Sequence, residues 1–218
     1  MRDFIVKLII VICALQRIVF AQAPAYLVKD INQAPDRNAS SSPESLTRAG
    51  GRVFFVADDG IHGRELWVTD GTPQGSSLVK DINSGGVGCR CRALTPAGNS
   101  IYFIADDGVH GEEIWRSDGT EDGTKLVKEI LPGTDSPFHI SLHGANRDFH
   151  QLTVVGEELY FPAISADLKL SIWRTDGSDA GTAKIFESAF NFAGGSLAQL
   201  GRNRARDEVG QGSQSRGV

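Results

Sequence analysis

The chain has 218 residues, enough for one or two domains, and its formal net charge at pH 7 is −5. This negative charge gives no electrostatic basis for binding nucleic acid or an anionic membrane surface. The 25 glycines indicate a chain with many tight turns.

The N-terminus has the features of an export signal. Positive charge in MRDFIVK precedes an apolar run of eight residues, LIIVICAL, and small residues follow in VFAQA. The run is shorter than the roughly 20 residues that a membrane span needs. We expect residues 1–21 to be a signal peptide cleaved after Ala21, or alternatively after Ala23, leaving a secreted or cell-surface chain without a membrane span. The competing interpretation is a buried N-terminal strand or helix.

Cleavage there would leave two cysteines, Cys89 and Cys91, in the stretch GCRCR. In an exported protein such a pair is expected to be oxidised. Residues two apart on an extended strand lie nearly 7 Å apart, at the limit for a disulfide, although a turn would bring them closer. A catalytic or metal-binding C-x-C motif is the alternative, although the sequence places no histidine or third cysteine nearby. It therefore leaves open whether the two cysteines pair.

An internal repeat organises the rest of the chain. ELWVTDGTPQGSSLVKDI returns 48 residues later as EIWRSDGTEDGTKLVKEI, and a third tryptophan follows after 58 residues. The predicted units are residues 42–82, 90–130 and 131–188. Residues 25–31, AYLVKDI, match the last strand of a unit whose earlier strands are absent. Residues 189–201 begin a fourth unit, which stops at a polar tail, 202–218, that we interpret as disordered or frame-shifted.

Each unit contains four short runs rich in β-branched and aromatic residues and bounded by Gly or Asp. No segment after residue 24 has a sustained helical period. Four antiparallel strands repeating at this spacing are typical of a β-propeller blade. We therefore predict an all-β, propeller-like array of three four-stranded blades, forming an incomplete propeller or an open arc. Its open sheet edges favour self-association.

These units resemble the ELWxxDGT repeat of bacterial secreted and surface proteins. The resemblance rests on GRELWVTDGTPQGSSLVKDI, GEEIWRSDGTEDGTKLVKEI and the DDGIHG and DDGVHG loops. It implies export, tandem arrays and a propeller-like fold, and it implies no catalytic residue. The third unit departs from the pattern, because it has SADLKLSIW in place of the DDGxHG loop and an insert near residues 137–150.

Three residue sets are candidates for a structural or functional role. Trp67, Trp115 and Trp173 are predicted to pack between blades, and Asp70, Asp118 and Asp176 recur in every unit, as turn residues do. The paired carboxylates of the DDGxHG loops offer oxygen ligands for calcium, with turn capping as the alternative. These carboxylates are Asp58, Asp59, Asp106 and Asp107.

Three of the five histidines lie in the insert, at His139, His143 and His150. Their spacing would place two zinc ligands on one face of a helix, but the glutamate of the H-E-x-x-H motif is missing and Gly144 favours a loop. The best functional hypothesis is a secreted binding or cell-surface interaction module for an extracellular protein or glycan, without its own catalysis and forming a fragment of a longer array. The alternatives are a propeller hydrolase or lyase, with or without assistance from a metal, and a non-functional truncated gene product.

Overall fold

The computed structural model describes residues 25–32, 40–142 and 145–191, without the side chains of 140–142, 145–148 and 190–191. The predicted signal peptide, His143, most of the fourth unit and the tail lie outside the described residues. Within them the chain is all-β and forms fourteen strands. No described segment is a helix that is long and apolar enough to cross a membrane.

Twelve strands form three antiparallel sheets, each with its strands in sequence order, which confirms the predicted four-stranded units. Blade 1 contains β1 (Glu44–Ala49), β2 (Arg52–Asp58), β3 (Arg64–Thr69) and β4 (Ser77–Lys80). Blade 2 contains β5 (Arg92–Ala97), β6 (Ser100–Asp106), β7 (Glu112–Ser117) and β8 (Lys125–Lys128). Blade 3 contains β11 (Thr153–Val155), β12 (Glu158–Ile164), β13 (Lys169–Thr175) and β14 (Ala183–Asn191).

The insert of the third unit forms a separate two-stranded hairpin. Strand β9 (His139–Leu142) pairs antiparallel with β10 (Ala145–Asp148). HISL is therefore extended, and a helical face that would carry two histidines does not form there.

The register of the central strand pair is the same in all three blades. The tryptophan stands opposite a phenylalanine each time, at Phe55 and Trp67, at Phe103 and Trp115, and at Phe161 and Trp173. Because side chains alternate between the two faces of a strand, this fixed register puts the same apolar positions on the same side of each blade.

The core lies between the blades. One buried cluster joins Phe54 and Leu66 of blade 1 to Phe103 and Trp115 of blade 2. A second joins Tyr102 of blade 2 to the central strands of blade 3, with Trp173 packed against it. Trp115 is only 6% exposed. Trp67 is equally buried but belongs to a third cluster, with Phe55 of its own blade and Ile31 of the segment 25–32. An isolated blade would leave these faces in water, so the blades stabilise one another by stacking.

The DGTxxG turns follow one pattern of contacts. Asp70 Oδ1 accepts hydrogen bonds from the backbone N–H of Thr72 at 2.9 Å and from its hydroxyl at 2.7 Å. A Cβ on Gly75 would lie 2.0 Å from the same carboxylate oxygen, which explains the glycine of the motif. Asp118 and Asp176 make the same contacts in the other two blades.

A lysine at the end of each of the first two units reaches the DGT turn of the next unit. Lys80 Nζ donates to the carbonyl of Thr124, and Lys128 Nζ lies 2.8 Å from Asp179 Oδ1. Residues 25–32 are not assigned as a strand, yet Lys29 Nζ donates to the Ser76 carbonyl at 2.6 Å and Ile31 packs against the core of blade 1. This segment thus makes the same lysine contact to blade 1 that Lys80 makes to blade 2.

Blade 3 leaves apolar side chains on its last strand in solvent. Ile185 is 51% exposed and Phe186 is 56% exposed. The expected self-association of the chain stays a prediction, and these two residues are where a contacting copy would bury apolar area.

Candidate functional site

The DDGxHG loops are turns held by their own carboxylates. Asp59 Oδ1 accepts from the N–H groups of Ile61 and His62, both at 2.9 Å, while its Oδ2 lies 2.7 Å from His62 Nδ1. Burial opposes ionisation of Asp59, but the bonds from His62 outweigh it and lower the pKa of the carboxyl. The hydrogen bond to Asp59 raises the pKa of His62.

The second loop reproduces these contacts. Asp107 accepts from the N–H groups of Val109 and His110, and its Oδ2 lies 2.7 Å from His110 Nδ1. Asp58 and Asp106 each accept the N–H of the glycine two residues on. The four carboxylates proposed for calcium therefore cap their own turns, and in the described parts of the chain they do not gather into a group of three metal ligands. The calcium site stays a prediction.

A polar cleft of about 240 Å³ lies beside the second loop, between blade 2 and the start of β9. Blade 2 contributes strand ends, and the connections before β5 and before β9 supply the rest. The lining combines three cationic or ring-nitrogen side chains, two carboxylates and two hydroxyls. Its residues are Arg90, Arg92, Asp106, Glu112, Thr134, Ser136 and His139.

Glu112 is the organising residue of this cleft. Its Oε1 accepts a hydrogen bond from Arg92 Nη1, and its Oε2 accepts from the Ser136 hydroxyl at 2.7 Å. Burial raises the pKa of Glu112, but the bonds from Arg92 and Ser136 have the larger combined effect and hold the pKa below its usual value. The carboxylate is therefore ionised and fixed in position at neutral pH.

Two donors of the cleft have spare hydrogen-bonding capacity. Arg92 Nη2 is buried and has no partner among the described residues. The Arg90 side chain is 68% exposed and approaches Asp106 Oδ2 only at 3.8 Å. A guanidinium presents five N–H donors, so both arginines can bind an incoming oxygen.

The three histidines proposed for zinc are not shown to meet. His139 lines the cleft at the start of β9, and His150 is exposed beyond β10. His143 lies outside the described residues. The extended hairpin removes the helical face on which the zinc hypothesis depended, because β9 places His139 on a strand.

Sequence reasoning missed two buried glutamates, Glu65 and Glu113, which are 0% exposed. Glu65 accepts the N–H groups of Ile82 and Asn83, both at 3.1 Å, and Glu113 Oε1 accepts those of Ile130 and Leu131, both at 2.9 Å. Burial raises the pKa of Glu65 to about 7 and that of Glu113 to about 8. The available signal was a glutamate repeated beside Leu66 and Ile114 in a core strand.

Cys89 and Cys91 form a disulfide with their Cα atoms 5.1 Å apart. Arg90 between them has a φ of 50°, so a turn brings the two residues together as the sequence allowed. Both cysteines are buried, at 0% and 6% exposure, and they join the core between blades 1 and 2. The same turn places Arg90 at the mouth of the cleft.

Comparison with known proteins found structural similarities alone. No family model matches the chain, and no curated protein matches it. Among solved structures it is similar to a puromycin hydrolase, with 15% identity, a TM-score of 0.43, and coverage of 67% of this chain and 21% of that one. It is also similar to a prolyl endopeptidase at 16% identity, with a TM-score of 0.38 and coverage of 66% and 19%.

A third similar structure is a Mycobacterium tuberculosis puromycin-hydrolyzing peptidase, with 16% identity, a TM-score of 0.28 and coverage of 68% and 29%. The chain therefore spans less than a third of the length of each of these proteins. Their activities are properties of those much longer chains.

Proposed function

We propose that this chain is a secreted, propeller-like binding module without catalysis of its own, and that its cleft beside blade 2 binds an acidic glycan. The resemblance to the ELWxxDGT repeat and the export-type N-terminus support placement outside the cell. The single observation that carries the proposal is the cleft, in which two arginines with spare donors face a fixed carboxylate and hydroxyls.

The chemistry of the lining suits a sugar that carries a carboxylate. Arg90 is the most accessible cation of the cleft and would pair with the sugar carboxylate, a charge-assisted contact. The buried Nη2 of Arg92 would donate to a ring or hydroxyl oxygen. Glu112 and Ser136 are already linked, and the carboxylate lone pairs that remain can accept from sugar hydroxyls. An uncharged sugar would forgo the contact with Arg90.

Titration calorimetry with oligosaccharides of uronic acids, and with neutral oligosaccharides of equal length, tests this assignment. We expect the acidic series to bind and Arg90→Gln to weaken it about tenfold, because a hydrogen bond to a charged group contributes roughly 1.5–3 kcal/mol. The control is Arg64→Gln, which removes an arginine that does not line the cleft. Arg64 pairs with Glu44 in blade 1, at the position where Glu112 pairs with Arg92 in blade 2. Equal losses in the two variants, or no binding of either series, would contradict the proposal.

A further inference from the structure

The boundary between blades 1 and 2 contains a compact group of metal-ligating atoms outside the cleft. A carboxylate oxygen of Glu65 and the sulfur atoms of Cys89 and Cys91 all lie within 4.8 Å of one another. All three residues are buried, at 0%, 0% and 6% exposure. Among the described residues, these are the three histidine, cysteine or acidic side chains whose ligand atoms come this close together.

The surrounding backbone holds this group in place. Cys89 N–H donates to the Arg64 carbonyl at 3.0 Å, directly beside Glu65 on β3, and the Cys89 sulfur lies 3.4 Å from the same carbonyl. The Cys89 carbonyl in turn accepts the N–H of Asp106 at the end of β6. The cysteine turn is thus hydrogen-bonded to both blades, and in the oxidised chain it already holds both sulfurs beside the Glu65 carboxylate.

The repeat shows that the fold itself does not need this chemistry. In blade 2, Glu113 has the position of Glu65 and also binds two backbone N–H groups. The positions that correspond to the two cysteines are Pro137 and His139. The Pro137 carbonyl accepts the N–H of Ile164, as the Cys89 carbonyl accepts the N–H of Asp106. The buried glutamate therefore satisfies the backbone after the fourth strand without cysteines nearby. The two cysteines occur only at the boundary between blades 1 and 2.

We propose that reduction of the Cys89–Cys91 disulfide creates a zinc site formed by the two cysteine sulfurs and the Glu65 carboxylate. Thiolates and a carboxylate are ligands that Zn²⁺ accepts, and three protein ligands leave its fourth position open. Each Glu65 oxygen accepts one N–H, so each retains a lone pair for the metal. The oxidised form offers no thiolate and does not hold the ion.

The reaction balances with a dithiol as reductant. The dithiol gives two electrons to the disulfide, is itself converted to a disulfide, and transfers its two protons to Cys89 and Cys91. Binding of Zn²⁺ then releases both thiol protons, together with a proton from Glu65 where that group is protonated. Zinc occupancy therefore reports the redox state of the boundary between the two blades. This inference is independent of the glycan proposal.

The test uses the full chain, reduced with dithiothreitol that is then removed without air, and titrated with Zn²⁺ against a chromophoric chelator. We expect one zinc per reduced chain and none per oxidised chain. Replacement by Co²⁺ should give a thiolate-to-metal charge-transfer band, and bound zinc should protect both thiols from alkylation. Equal zinc binding by the oxidised chain, or alkylation unaffected by zinc, would overturn the assignment even if every variant failed to fold.

Two matched variants locate the third ligand. Glu65→Gln should weaken zinc binding by at least about 10- to 100-fold, the loss that removing a group just outside the ligands already causes. Glu113→Gln, its counterpart in blade 2, should leave zinc affinity unchanged. If both variants bind zinc as the wild-type chain does, Glu65 is not a ligand and the proposed site is wrong. Retention of the cobalt band in Cys89→Ser combined with Cys91→Ser would overturn it as well.

Discussion

The first two blades and the third blade end their sheets differently. In blades 1 and 2 the fourth strand has only four residues, and a buried glutamate accepts the two backbone N–H groups that follow it. In blade 3 the fourth strand has nine residues, and the position of the glutamate is taken by Ser171, which stands opposite Glu187 in the strand ladder.

The comparison shows two ways of satisfying the same backbone. Buried N–H groups must find an acceptor, and either a side-chain carboxylate or a longer strand supplies it. The glutamate has a cost that the strand does not, because burial disfavours its charged form and raises its pKa. It also leaves Glu113 Oε2 without a hydrogen-bond partner among the described residues. Blade 3 avoids that cost by extending β14.

The largest effect should come from removing the glutamate. Glu113→Ala leaves the partly buried N–H groups of Ile130 and Leu131 without an acceptor and empties a fully buried side-chain position, so we expect a loss of about 2–4 kcal/mol in the free energy of unfolding. Ser171→Ala removes a buried hydroxyl that has no partner in the described residues and should change stability by less than about 1 kcal/mol. Urea denaturation measures both. Similar losses in the two variants would contradict this difference between the blades.

A smaller effect concerns pH. The pKa of Glu113 is raised by burial from 4.5 to about 8, with the charges of Glu129 and Asp107 acting in the same direction. Between pH 4.5 and about 8, Glu113 therefore holds a proton in the folded state that it has released in the unfolded state. Its contribution to stability is complete below pH 4.5 and is lost as the pH rises through about 8.

Glu113→Gln isolates this contribution, because the amide oxygen can still accept both N–H groups but does not titrate in this range. Between about pH 6 and 7.5 we expect the wild-type chain to lose about 1–2 kcal/mol of stability relative to the variant. Urea denaturation at several pH values gives the difference. Parallel pH profiles for the two proteins would mean that Glu113 keeps an ordinary pKa.

The architecture could be predicted from the sequence because the same pattern of strands and turns occurs in three successive units. The repeated Trp and DGTxxG positions fix register and turns, and both depend on residues close in the chain, such as Asp70 and Thr72. The cleft could not be predicted, because Arg92, Ser136 and His139 come together only where the connection between β8 and β9 passes blade 2. Glu65 lies within the ELW motif, but a sequence does not show that its carboxylate is buried beside two cysteines.

The smallest expected effect is a difference in stability between variants in the loops that precede the third strand of blades 2 and 3. Asp107 caps two N–H groups and binds His110, whereas Asp167 in blade 3 is 55% exposed and contacts the side chains of Ser165 and Lys169. We expect Asp107→Ala to cost about 1–2 kcal/mol and Asp167→Ala less than about 0.5 kcal/mol, because an exposed pair contributes little.

Thermal unfolding of the two variants, each with the cysteines oxidised, measures this difference, and Asp107→Asn provides the control. Asparagine keeps an oxygen for the N–H groups of Val109 and His110 but removes the charge that favours protonated His110. Its stability should fall between that of the wild-type chain and that of Asp107→Ala. If Asp107→Asn were as unstable as Asp107→Ala, the ion pair with His110 would be the stabilising contact of this loop, and the backbone cap would contribute little.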